Sequence, residues 1–409
     1  MSVEPIKPIA DPGMEAVYHQ EFSVRYDYPV HFTEHLFARG NPVFVQSIVR
    51  REPAKRHRIM VFVDANVAAS WPTLVHDIAA YAEVYAESLE LVGRPEVVAG
   101  GEQVKNDPAL VTGLQRRLVK HNIDRHAFVV GIGGGAFLDM IGFVASTTHR
   151  GIRHIRVPTT VLGQNDSGVG VKNGVNAFGL KNLLGSFAPP FAVLNDTDFL
   201  RTLHPRDKIA GIAEADKVSL IRDALFFEWL EKNSDALRDC VPEAMARMIR
   251  RCAELHMRQI AHGGDPFEML EARPLDFGHW SAHKLESMSD YEIRHGEAVA
   301  IGVAVDTVYS SLALGFPESD AQRVLQCMSD LGLNLDTPLL HDTDALFDGL
   351  EEFRQHLGGR LTLTMLNRVG DPNDVHTVDR ELMCAAIGQV AEFAKSSAAF
   401  AWTTNSAGE

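Results

Sequence analysis

From Arg58 to Pro158 short apolar runs alternate with stretches of helical period, and this alternation leaves few architectures open. RIMVFVD (58–64) reads as a strand ending in an acid, VHDIAAYAEVYAESL (75–89) as a helix and LELVG (89–93) as a strand again. PALVTGLQRRLVKHN (108–122), HAFVVGIGG (126–134), LDMIGFVAST (138–147) and HIRVP (154–158) continue as helix, strand into a glycine loop, helix and strand. A strand that is apolar on both faces must be covered on both, and the intervening helices do this in a mainly parallel sheet. After about Leu203 strands largely stop. DKIAGIAEADKVSLIRD, PEAMARMIRRCAELHMRQI, EAVAIGVAVDTVYSSLAL and SDAQRVLQCMSDLG all read as helices. The expected fold is α/β plus all-α: a mainly parallel sheet domain over 1–200 and a helical domain over 201–409. RLTLTMLNRVG (360–370) is expected as a late hairpin, the first twenty residues, with three prolines, as an extended arm, and the Ser/Ala-rich 396–409 as a frayed end.

Thirty-nine basic and 54 acidic side chains leave the 409-residue chain at a net charge of −15. That sign repels phosphate backbones, so no nucleic-acid partner is expected, although a few placed cations can still build a local anion site. The four cysteines, Cys240, Cys252, Cys327 and Cys384, form no CxxC pair, which fits a reducing cytoplasm and no cysteine-based zinc site. The N-terminus lacks an apolar core, so no secretory signal is expected. No apolar run is read as approaching the roughly 18 residues of a membrane helix. A soluble cytoplasmic protein is the expectation.

Three constellations carry chemistry. FVVGIGGGAFLD (128–139) sets Gly131, Gly133, Gly134 and Gly135 between a strand and a helix, where bare N–H groups and a helix N-terminus suit a pyrophosphate; a tight turn is the plainer alternative. Asp64, ending the first strand, could contact a ribose or simply cap a helix. LDFGHWSAHKLE puts His279 and His283 four apart, on one face of a helix, and His295 opens the next apolar stretch. Three histidines this close could bind a metal with one oxygen ligand. Glu214, in an otherwise apolar helix face, offers that oxygen, or pairs with Lys217 three residues on. Finally, VPTTVLGQNDSGVGVKNGVNAFGLKNLLG (157–185) holds Asp166, Lys172, Lys181 and Asn182 in a glycine- and amide-rich loop after a core strand. Ligands of parallel sheets bind at the carboxyl ends of strands, and these cations and amides would suit a phosphorylated polyol.

In order and spacing, VDANV, GGEQVKND, GGGAFLD, HRG, PTT, the Asp-Ser-to-Lys loop, LKNLLG, AEADK, FGHWSAH and HGEAVAIG resemble the sugar phosphate cyclase superfamily, typified by 3-dehydroquinate synthase. The resemblance runs from about Asp64 to Ile301 and implies an N-terminal Rossmann-like domain, a C-terminal helical domain, NAD as a recycled cofactor, a divalent metal (zinc or cobalt) and a homodimer. By position, Glu214, His279 and His295 resemble the metal ligands, and His283 a catalytic histidine. Asp166 and Lys217 resemble contacts to substrate hydroxyls, while Arg150, Lys172 and Asn182 resemble phosphate and substrate contacts. Asp64, Asn66, Glu102, Lys105, Gly133, Gly134, Gly135, Asp139, Thr159, Thr160 and Lys181 match dinucleotide-binding positions.

Several departures bear on the substrate. The chain reads DSGVGVKN where dehydroquinate synthases carry Asp-Ser-Ser-x-Gly-Gly-Lys-Thr, and RPLDFGH where they carry Arg-x-Leu-x-Asn-Phe-Gly-His. Their carboxylate-binding lysine has no counterpart in ELHMRQIAHGGDPFE, where His256 and Arg258 lie nearby, and Arg273 is one residue closer to His279 than the usual arginine. His283 stands where valiolone-type cyclases carry proline. GQNDSGVGVKNGVNAFG, GGDPFE and RPLDFGHWSAHKLE look most like the Ebo-cluster cyclases. The implied reaction is carbocycle formation from a phosphorylated ketose by transient oxidation, phosphate elimination, reduction and intramolecular aldol closure. The alternatives are 3-dehydroquinate synthase itself and a metal-dependent polyol dehydrogenase of the glycerol dehydrogenase type.

Overall fold

The computed structural model describes residues 20–270 and 273–405; the proline-rich arm therefore lies outside the described residues except for Gln20. Strands β1 (Val30–Thr33), β2 (His57–Asp64), β3 (Leu89–Leu91), β4 (Glu96–Val98), β5 (Phe128–Gly133) and β6 (Arg153–Pro158) precede a hairpin, β7 (Lys172–Ala177) with β8 (Leu180–Phe187), and β9 (Ala192–Asp196) follows it. The main sheet runs β1-β9-β6-β5-β2-β3, with β4 also on β2, and every pairing in it is parallel. β2, β5 and β9 are buried along their whole length save the half-buried Arg58, because helices cover both faces. The chain leaves β2 toward β3 and β4 on one side and returns to β5 on the other. The strand order thus reverses between the carboxyl ends of β2 and β5, where Asp64 and Gly133 sit, and such a reversal opens a ligand crevice.

After β9 the chain turns helical, with Pro205–Ala210, Ile212–Arg222, Pro242–His262, His279–Met288, His295–Leu314, Glu318–Asp330, Thr343–His356 and Arg380–Asn405 as the principal helices. The stretch 207–223, read as one helix, breaks at Gly211. The late hairpin lies at β10 (Leu363–Arg368) and β11 (Asp371–Val375). The C-terminal helix continues through the Ser/Ala-rich segment to Asn405 instead of fraying at 396. His295–Leu314 corrects another expectation: by length and composition it could cross a membrane. Here it is the central core helix, buried from Ala298 to Ser310 and packed against the helices at 212–222, 279–288 and 380–405.

The segment 157–185, expected as a loop, is a turn of π-helix (Gly163–Ser167) followed by the β7–β8 hairpin. Phe178 and Gly179 join the strands with φ of 53° and 79°, the left-handed pair that a two-residue hairpin turn requires. Phenylalanine is an unusual occupant of that conformation, and this hid the turn in the sequence.

Candidate active site

A cleft of about 1110 Å³ separates the carboxyl edge of the sheet from the helical domain, and residues from both halves line it, including Gly135, Asp166, Lys172, Lys217, His279 and His295. On the sheet side, the helix Gly135–Thr147 begins directly after β5 with no side chain capping it. A Cβ at Gly135 would come within 2.5 Å of Ser167 Oγ, so glycine leaves this helix end open without displacing the serine hydroxyl. The fully buried Arg156 guanidinium donates to the carbonyls of Gly168, Gly170 and Lys172 at 2.9–3.1 Å and to Asn173 Oδ1 at 2.7 Å. It thereby fixes the course of the loop that carries Asp166 and Lys172. The buried Lys105 Nζ bridges Asp139 Oδ2 (2.9 Å) and Asn182 Oδ1, tying the glycine-loop helix to the hairpin.

On the helical side three ligand-type side chains converge. Glu214 is wholly buried; its Oε1 lies 3.7 Å from His279 Nε2 and 3.5 Å from His295 Nε2. Among the described residues neither carboxylate oxygen has a hydrogen-bond partner, although Lys217 Nζ forms an ion pair with Oε2. His279 Nδ1 faces the Phe277 carbonyl at 3.0 Å, and His295 Nδ1 faces Glu286 Oε2 at 3.1 Å. Each histidine is therefore turned so that Nε2 points at Glu214, the arrangement by which a second partner orients a metal-binding imidazole. Burial alone would lower the His295 pKa, but Glu286 and Glu214 carry it up to about 9. Burial and the Lys217 charge lower that of His279 to about 4. A divalent cation would take the place of the His295 proton and satisfy the orphaned carboxylate oxygens, so the donor set fits one.

His283 lines the cleft, its ring 5.5 Å from that of His279 and 6.0 Å from that of His295. Burial and Lys181 hold its pKa well below the usual histidine value, so it can accept a proton. His256 Nδ1 lies 2.7 Å from Asp166 Oδ1; burial alone would raise the Asp166 pKa, but His256 and Lys217 outweigh it and keep the carboxyl ionised. Lys181 pairs with Glu286 at 2.7 Å, and Glu102 reaches the cleft wall.

Other expected residues sit apart. Asp64 is buried at the end of β2 and accepts from the Asn66 N–H at 2.8 Å as a helix cap; neither residue lines the cleft. Thr159 donates its N–H to the Gly133 carbonyl at 3.0 Å, and Thr160 Oγ1 accepts from Gly163 at 3.0 Å, so both brace the glycine loop from behind. Arg150 is exposed, with φ of 61°, and is absent from the cleft wall of its own chain. The turn before β6 points it away.

Besides Arg156, two positioning residues escaped the sequence reading, Glu286 and Asp306, and His256 stood out only for lying near the missing lysine, not as the partner of Asp166. Glu286 follows His279 by seven residues, two helical turns, which was a usable signal. Asp306 is an isolated acid in the apolar helix that begins with His295. Its carboxylate accepts from the Gly278 N–H (3.0 Å) and the Trp280 indole N–H (2.9 Å) on either side of His279; burial pushes its pKa up to about 7. Gly278 needs its left-handed φ of 76°, since a Cβ there would meet Val303 N at 2.6 Å. Asp306→Ala would leave two buried donors unpaired and is expected to cost about 2–4 kcal/mol of stability and about tenfold in metal affinity. Denaturant unfolding and metal competition measure both, and a change below about 0.5 kcal/mol would show that the carboxylate anchors nothing.

Comparisons with known proteins agree with this geometry. Residues 96–210 match the 3-dehydroquinate synthase N-terminal family model, and residues 211–352 match the C-terminal one. Over 254 residues the chain is 40% identical to the 3-dehydroquinate synthase of Bordetella pertussis, covering 62% of this chain and 70% of that enzyme. ValA, a 2-epi-5-epi-valiolone synthase from Streptomyces hygroscopicus solved with NAD+ and Zn2+, is similar with a TM-score of 0.81 and 28% identity over 92% of this chain and 99% of its own. 2-Deoxy-scyllo-inosose synthase, solved with carbaglucose-6-phosphate, NAD+ and Co2+, is similar with a TM-score of 0.72 and 27% identity over 88% of this chain and 95% of its own. With both halves of its cleft inside the matched segments, the chain belongs to the 3-dehydroquinate synthase family of the sugar phosphate cyclase superfamily.

Proposed function

We propose that this protein is an NAD- and divalent-metal-dependent sugar phosphate cyclase acting on a phosphorylated ketose without a carboxylate head group. The observation that carries this reading is one cleft lined by an uncapped glycine-loop helix, the Glu214–His279–His295 cluster, His283 and a cationic hairpin. Glu214, His279 and His295 would hold the cation, and Gly133–Gly135 would receive the pyrophosphate. Asp64 and Asn66 would face the adenosine ribose; Glu102, Lys105, Asp139, Thr159, Thr160 and Lys181 would complete the cofactor pocket. When bound, the nicotinamide supplies reversible hydride transfer and the metal supplies Lewis acidity toward substrate hydroxyls.

The residues of the chain do the remaining work. Lys217 and Asp166 orient the hydroxyls, and the neutral His283 accepts and returns the proton that moves as phosphate leaves. Lys172 and Asn182 hold the phosphoryl oxygens; Arg150, exposed and off the cleft wall, is the part of this phosphate set that the cleft supports least. A homodimer belongs to this reading, supported by the exposed Phe178, Leu180, Leu183 and Leu184 on the hairpin. A cytoplasmic location is supported by four free cysteines.

Screening C6 and C7 sugar phosphates for phosphate release, with product masses, tests the reading: release without net NADH supports a cyclase, whereas stoichiometric NADH identifies a polyol dehydrogenase. NAD is also expected to bind at least about tenfold more tightly than NADP, because Asp64 repels a 2′-phosphate. Equal affinities by calorimetry would sink the Asp64 assignment.

A further inference from the structure

Every lysine of the cleft has an acidic partner, but one pair differs from the rest. Lys105, Lys181 and Lys217 are themselves largely buried, with partners on helices. Lys172 is 56% exposed, and its partner Glu268, 2.5 Å away, sits on the connection between the helices Pro242–His262 and His279–Met288. The second oxygen of Glu268 lies 3.8 Å from Arg273 Nε, too far for a hydrogen bond. That Nε is buried and unpartnered among the described residues. Lys172, Glu268 and Arg273 all line the cleft, as does Asp276. This wall therefore holds two cations against two acids.

The segment that carries Glu268 is fastened at both sides. The Asp265 carboxylate accepts from the N–H groups of Met269 (2.8 Å) and Leu270 (2.6 Å). Phe267 packs edge-on against Tyr26 at 5.7 Å and, tilted by 37°, against Phe187 of β8 at 5.6 Å. Glu268 itself takes a left-handed φ of 51°. The segment is thus a strap from the helical domain to the sheet domain that presents one carboxylate to the cleft.

We propose that Glu268 is a tethered counter-anion that reserves the Lys172–Arg273 pair for a phosphoryl group and keeps a carboxylate out of it. The assignment rests on the reading of this cleft as a sugar phosphate site and names what the site selects. A tethered group competes at a high effective concentration, so an incoming anion must offer more than Glu268 does. A carboxylate brings the same single charge and two oxygens, and gains nothing by exchange. A phosphoryl group brings nearly two charges and three acceptor oxygens. It can satisfy Lys172 Nζ and the orphaned Arg273 Nε together, which Glu268 does not. The ion pair that must open is exposed on its lysine side (56%) and largely buried on its glutamate side (19%), so it is weaker than the buried pairs of Lys105, Lys181 and Lys217.

The test is ion binding, with inorganic phosphate and acetate titrated at matched ionic strength into the full-length wild type, Glu268→Gln and Glu268→Ala. Wild type is expected to prefer phosphate. In both variants acetate affinity is expected to rise about tenfold, the effect of removing one like charge from a partly hydrated site, with phosphate affinity rising at least as much because either anion must displace Glu268 in the wild type. Adding Lys172→Gln and Arg273→Gln to either variant is expected to abolish the acetate gain. An unchanged acetate affinity in both Glu268 variants, or an acetate gain that survives loss of the two cations, overturns the assignment. These measurements need no turnover: a protein that shows the acetate gain but cyclises no sugar phosphate refutes the functional reading alone, and an active cyclase with unchanged acetate affinity refutes this assignment alone.

Discussion

Replacing His295 by alanine is expected to strip the divalent cation from the protein and lower kcat/KM by about three decades or more, the worth of several kcal/mol of transition-state charge stabilisation. The expectation follows from the burial of Glu214: its carboxylate faces the Lys217 ammonium and, at 3.5–3.7 Å, the Nε2 atoms of His295 and His279. Two imidazoles already turned to present Nε2 to a buried carboxylate form a donor set that fits a divalent cation. His283→Ala separates the roles. It should leave metal content intact while removing turnover, since His283 stands beside the cluster rather than within the triad around Glu214. Glu286→Gln should fall between, with metal affinity reduced about 10- to 100-fold through the freed His295 ring. Metal content of the purified variants by elemental analysis decides the matter. A Glu214, His279 and His295 triple-alanine variant that still carries stoichiometric metal would end the assignment.

The alternation from Arg58 to Pro158 predicted β2, β3, β5, β6 and the long helices among them, most clearly at β2 and β5, which are buried on both faces and read as unbroken apolar runs. β1, β4 and the β7–β8 hairpin did not carry that signal. β1 and β4 are only four and three residues long, and β8 is exposed or half-buried along its length. In the site, residues defined by type and spacing were legible: Glu214, His279, His283 and His295 come from two helices and a helix start that the sequence marks clearly. Residues that act by meeting across the fold were not. Arg156 looks like one more strand residue until the loop it staples is in place, and His256 is 90 residues from the Asp166 it touches. Of the two readings of Asp64 the structure shows the helix cap, at the end of the strand where the order reverses; the ribose contact belongs to the proposed function.

The carboxylated heptulosonate phosphate that dehydroquinate synthases use is expected to be a poor substrate, turned over two to three decades less efficiently than a neutral-headed sugar phosphate. Recognition of a carboxylate in a closed site needs cations that are free to meet it, and an uncompensated buried charge costs about 3–5 kcal/mol, which is about two to three decades or more in kcat/KM. His256, the nearest replacement for the missing lysine, is engaged with Asp166 at 2.7 Å. Arg273, beside Glu268 and paired with Lys172 toward the phosphoryl group, is not free for a head group, and Asp276 adds a second negative charge to the same wall. Under the proposed reading the metal cluster and the glycine loop would set the reaction class, whereas these head-group contacts would set the substrate, and here they are already neutralised. The comparison is a direct one: kcat/KM for the heptulosonate phosphate against sedoheptulose 7-phosphate and glucose 6-phosphate, with phosphate release as readout. Complementation of a strain lacking dehydroquinate synthase at ordinary expression would show instead that His256 leaves Asp166 when substrate enters and restores the lost charge. In that event His256→Ala would abolish the complementation, while under the present reading it mainly weakens the hold on Asp166 and lowers turnover of the neutral-headed substrate.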